Sequence, residues 1–69
     1  MMGVYDMMDQ ASADEIGIPV EEYIKRIEWL LERNNNRGEI LMNALWSEEE
    51  KTRQRAARLF LEATQDYQK

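Results

Sequence analysis

The sequence contains no cysteine and no histidine among its 69 residues. The first absence excludes disulfides and thiolate metal sites, and the second removes the imidazole that many metal centres and general bases use. No run of about 18 apolar residues is present, so nothing predicts a membrane span. A chain without cysteine also suits a reducing compartment. We therefore expect a soluble cytoplasmic protein that holds no metal and no other cofactor.

Small size limits how stable this chain can be by itself. With 43% hydrophobic and 33% charged residues, it has room for a single domain, residues 1–69, with one modest core. A lone core of this size leaves only about 3–5 kcal/mol of net stability. Because disulfides and metal ions are excluded as staples, association is the remaining way to gain stability, and we expect a homodimer.

Basic residues are missing from the first third of the chain. Residues 1–24 hold six acidic residues and no Lys or Arg, whereas the remainder holds nine basic and eight acidic residues, giving a total charge of −5. An acidic segment repels nucleic-acid phosphates and attracts basic protein surfaces. Asp6 and Asp9 are therefore candidate partner-binding residues, and nucleic acid is the less favoured partner.

Apolar residues recur at helical spacing and predict an all-α fold, a small bundle of three to four helices completed by dimerisation. The predicted helices cover residues 4–16, 19–33, 39–46 and 48–67. In the first helix, Val4, Met7, Met8 and Ala11 form a mostly methionine face, which we expect to dock weakly on the other helices.

The asparagine-rich segment 34–38 leaves two interpretations open. Its low helix propensity and good turn chemistry predict a turn that ends the second helix near Arg33. The alternative is a continuous helix with a heptad-like apolar seam and Asn34 at its centre, which would give an elongated dimer.

Two serines stand three residues before a glutamate, a spacing typical of helix N-caps. Ser47 with Glu50 predicts the start of the last helix, and Ser12 with Glu15 has the same spacing. Capping explains both serines without a nucleophilic role. Since no glycine-rich phosphate loop is present either, we expect no enzymatic activity.

Residues 13–31 superficially resemble a helix-turn-helix. That pattern buries the sixth and ninth positions after the turn glycine, which are Tyr23 and Arg26 here. The apolar residues Ile24 and Ile27 fall one position later, so the phase does not fit. Two glutamates also stand at the start of the supposed recognition helix, where DNA readers approach base edges and phosphates.

Lys51, Arg55 and Arg58 share one face of the last helix and are candidate nucleic-acid-binding residues. The simpler interpretation is a solvated face, because Glu49 can pair with the arginine four residues later and Glu62 with Arg58.

Three large apolar residues lie beside the predicted core stripes and are candidate partner-binding residues: Trp29, Met42 and Trp46. The alternative, equally favoured, is that both tryptophans complete the core of the monomer. The sequence thus favours a non-catalytic protein–protein interaction module, a small acidic adaptor or inhibitor of the kind that phages and mobile elements often encode. It would occupy a surface on a protein partner whose identity the sequence does not indicate. The alternative function is a helix-turn-helix-like nucleic-acid-binding regulator that uses the basic last helix.

Overall fold

The computed structural model describes residues 7–68, and this range is all-helical, as predicted. The candidate residues Val4 and Asp6 lie outside it. The helices are α1 (Met7–Ile16), α2 (Val20–Arg33), α3 (Asn35–Leu45) and α4 (Glu50–Ala63), followed by a 3₁₀ turn at Gln65–Gln68. Each of α1, α2, α3 and α4 packs against at least two of the others, within a globule of 30 × 28 × 20 Å. None of these helices is long and apolar enough to span a bilayer.

The core lies between α2 and α4, with α1 and α3 packed around it. Its two largest side chains are Tyr23 and Phe60, both fully buried, with ring centroids 5.4 Å apart. Smaller buried residues surround this pair: Ala13, Ile27, Leu30, Leu41, Leu45, Ala56 and Ala57. All four helices therefore contribute to one core.

The buried face of α2 differs in part from the predicted face. Ile27 is buried as predicted, but Tyr23 and Arg26 are buried as well. Ile24 is only half-buried, so the phase argument against a helix-turn-helix is wrong. Arg26 is accommodated because its guanidinium makes three hydrogen bonds. Its Nη1 donates to the carbonyl oxygen of Thr64 at 3.0 Å and to Thr64 Oγ1 at 2.9 Å, and its Nε donates to Glu22 at 2.9 Å.

The asparagine-rich segment is neither a full turn nor a continuous helix. Only Asn34 leaves the helical conformation, and its side-chain oxygen accepts the backbone N–H of Arg37 at 3.2 Å. Helix α3 therefore begins at the next residue, four positions earlier than predicted. Gly38 then lies inside α3 against α2, where a Cβ would lie 2.6 Å from Leu31 Cδ2. The glycine thus permits the close approach of the two helices.

The predicted serine caps do not form. Ser12 lies inside α1 and is fully buried. Ser47 Oγ accepts the backbone N–H of Glu49 at 3.1 Å, so it closes a turn ahead of α4 instead of capping the helix. Helix α4 accordingly begins at Glu50 and ends at Ala63, shorter at both ends than predicted.

Candidate functional site

The apolar stripe of α1 faces away from the core. Helix α1 packs on its neighbours through Ser12 and Ala13, its two buried residues. Met7 is 87% exposed and Met8 45%, and Ala11 is exposed as well. The predicted docking of α1 through its methionines is therefore wrong. The two small side chains allow a close approach, the half-buried Ile16 also packs against the core, and the methionines remain at the surface.

An apolar groove opens between this stripe and the end of α3. We call it the methionine groove, and its volume is about 440 Å³. Leu45 is buried and forms the floor of the groove. Trp46, the C-cap residue of α3, lies at the edge of the groove and is 38% exposed. The described residues that line it are Met7, Met8, Ala11, Leu45, Trp46 and Arg53.

Arg53 is the one charged residue among those lining residues, and its guanidinium is engaged on two sides. Nε donates to Glu15 of α1 at 3.1 Å, and Nη1 donates to the carbonyl oxygen of Ser47 at 2.7 Å. The predicted partner, Glu49, instead accepts the hydroxyl of Thr52 at 2.6 Å. Arg53 thereby connects α1 to the α3–α4 loop, and Glu15 compensates its charge.

Acidic residues lie close along the chain to residues that line the methionine groove. Asp14 is exposed on α1, three residues after Ala11, and Glu48 is exposed before α4, two residues after Trp46, whereas Asp9 is half-buried on α1. Residues 7–16 carry a charge of −3 and residues 45–53 a charge of −1, so the two walls hold −4 of the total −5. The groove therefore lies in a region of negative potential.

The three apolar candidates from the sequence lie in different surroundings. Trp46 lines the groove, whereas Met42 is half-buried against the core. Trp29 packs edge-on against Tyr67, with 6.0 Å between ring centroids, and the guanidinium carbon of Arg33 lies 4.7 Å from the Trp29 ring centroid. Trp29 and Met42 are thus not among the residues that line the groove.

The basic candidates are exposed on the outer face of α4. Lys51, Arg55 and Arg58 make no ion pair within residues 7–68. The predicted pair between Glu62 and Arg58 is not formed. This face is therefore more available to an anionic ligand than the sequence indicates.

Comparison of the chain with protein-family models, curated proteins and solved structures finds no match. Within the described residues, no group of three or more carboxylates is arranged to hold a metal ion. The geometry and charge of the chain itself must therefore support any functional interpretation.

Proposed function

We propose that this chain is a non-catalytic protein–protein interaction module whose methionine groove binds an apolar segment of a partner protein. The observation that carries the proposal is the apolar stripe of Met7 and Met8, which lies at the surface beside Trp46. In this role the chain is a small acidic adaptor or inhibitor that occupies a surface on its partner.

The arrangement of the exposed apolar residues supports this role. Single exposed apolar side chains are ordinary, but a contiguous apolar patch beside a groove is typical of an interaction site. Tryptophan is enriched at binding hot spots, and methionine adapts its shape to different partners. A partner that covers Trp46 and both methionines would remove much of this surface from water.

Trp46→Ala tests the proposed site. We expect it to weaken, by about tenfold or more, the binding of peptides selected from a display library on the wild-type chain. Leu61→Ala is the matched control, because Leu61 is 39% exposed, as Trp46 is at 38%, but is not among the residues lining the groove. Circular dichroism would verify that both variants fold. Peptides that bind the Trp46→Ala variant as tightly as the wild type would refute the proposed site.

A homodimer remains a proposal, and the methionine groove is the surface a second copy would cover. Sedimentation equilibrium over a wide concentration range measures this directly. A dimer that Trp46→Ala dissociates and Leu61→Ala preserves would place the second copy in the groove.

Nucleic-acid binding is a second candidate function, favoured by the three exposed cations of α4, which make no ion pair with any residue between 7 and 68. It predicts binding that weakens steeply with salt and is lost in Arg55→Gln/Arg58→Gln. Lys25→Gln/Arg37→Gln removes the same charge from exposed positions elsewhere. Anisotropy titrations with duplex DNA and single-stranded RNA measure both variants, and an absence of binding at low salt would exclude this function.

A further inference from the structure

The charge around the methionine groove indicates what kind of segment it binds, an inference that rests on the proposed function. We infer that the occupant is an amphipathic helix of a partner protein whose apolar face is flanked by Lys and Arg.

The shape of the groove suits a helix. One wall consists of Met7, Met8 and Ala11, which follow one another along a single face of α1, and Trp46 lies on the opposite side. A second helix can lie against such a wall and insert apolar side chains spaced three or four residues apart. The flexible methionines can adjust to the anchors of that helix.

The charges of the groove walls favour a basic helix over an acidic one. Arg53 offers little to a partner carboxylate, because Glu15 and the Ser47 carbonyl already accept its hydrogen bonds. Asp14 and Glu48 remain exposed close along the chain to lining residues, and the walls together carry −4. Charges within about 8 Å of the groove act on a bound helix at physiological salt, so cations on its flanks are attracted and anions repelled.

A second copy of this chain fits these charges less well. Two grooves facing each other across a two-fold axis would bring two walls of −4 together. The basic outer face of α4 offers only Leu61 as a large exposed apolar side chain within the described residues. The structure therefore favours a different protein as the source of the helix.

Two synthetic peptides test the inference with the full chain. Both are helices of about four turns with the same leucine face, one with lysine and the other with glutamate along its flanks. Fluorescence anisotropy measures their affinity at about 0.05 M and about 0.5 M salt. We expect the lysine peptide to bind about tenfold tighter at low salt, and the difference to shrink at high salt.

Reversing acidic charges near the groove tests whether they cause the preference for the lysine peptide. Asp14→Lys/Glu48→Lys should remove or invert it. Glu28→Lys/Glu32→Lys makes the same charge change at exposed positions of α2, a helix that contributes no lining residue to the groove, and it should keep most of the preference. A preference that survives the first pair of changes would overturn the inference.

The inference and the proposed function fail in different ways. Equal affinity for both peptides, with loss on Trp46→Ala, would overturn the basic helix and leave the groove as a binding site. If neither peptide binds but library-selected peptides do, the basic helix is likewise overturned and the groove remains a binding site. A dimer that forms through the groove and excludes the lysine peptide leads to the same conclusion. If no peptide of any kind depends on Trp46, the proposed function itself is refuted.

Discussion

At the scale of single residues, Arg26 connects α2 to the end of α4. Its guanidinium donates to both oxygens of Thr64 and lies 5.6 Å from the ring centroid of Tyr67. Thr64 is fully buried and ends α4, so its oxygens are shielded from solvent while the arginine donates to them. This network holds the last turn of the chain against α2.

Arg26→Met should lower the free energy of unfolding by about 2–3 kcal/mol, because it leaves the buried Thr64 oxygens without their charged donor. Arg33→Met is the control on the same helix. Arg33 is exposed and contacts the ring of Trp29, so its loss should cost less than about 1 kcal/mol. Urea unfolding followed by circular dichroism measures both, and equal losses would contradict a special role for the Arg26 network.

The burial of Arg26 could not be predicted from the sequence. A hydrophobicity pattern scores arginine as polar, and the partner that makes burial acceptable is Thr64, 38 residues away. The pair between Arg53 and Glu15 has the same separation. The ion pair of Arg26 with Glu22 joins residues four positions apart on α2, the spacing at which opposite charges meet along a helix. A spacing of one helical turn is not sufficient, because Glu62 and Arg58 do not pair, and contacts between helices leave no such spacing in the sequence.

At the scale of helices, the ends of α1 and α2 match the predicted residues 16 and 33, whereas α3 begins earlier and α4 is shorter than predicted. A single residue outside the helical conformation, Asn34, separates α2 from α3, because its side chain immediately caps the next helix. The sequence pattern instead predicted a turn that covers all of residues 34–38. Gly38 contributed to that expectation, but its role is to let α3 approach Leu31 of α2.

Gly38→Ala should destabilise the wild-type chain by about 1 kcal/mol. Alanine favours the helix by about 1 kcal/mol, but its Cβ would overlap Leu31, and overpacking costs about 1–3 kcal/mol. In a Leu31→Ala background the overlap disappears, and the same change should stabilise by about 0.5–1 kcal/mol. A double-mutant cycle by urea unfolding checks this change of sign. If Gly38→Ala stabilised the protein in both backgrounds, the side chain of Leu31 would have to move away from the new Cβ without a loss of stability.

At the scale of the whole molecule, the fold class follows from the sequence, but the candidate site does not. Trp46 was identified as a candidate residue, whereas the methionines of α1, which form its apolar stripe, were expected to dock weakly on the other helices. Their position was missed because α1 packs through Ser12 and Ala13, whose small size carries no periodic signal. Which face of a short helix turns inward depends on how closely its neighbours can approach.

The shallow docking of α1 has a consequence for how the molecule opens. This helix buries only two small residues, and the hydroxyl of Ser12 has no hydrogen-bond partner within the described residues, which costs about 1–3 kcal/mol. Local opening of α1 should therefore precede global unfolding, so its amides should exchange with deuterium faster than those of α2 and α4. Ser12→Ala should slow that exchange, which mass spectrometry can follow.

Because α1 is also one wall of the methionine groove, a bound helix should protect the same amides. Protection confined to α2 and α4 would contradict this coupling. A partner that fills the groove would then shift the population of α1 from open to closed, and its affinity would include the free energy of that closure.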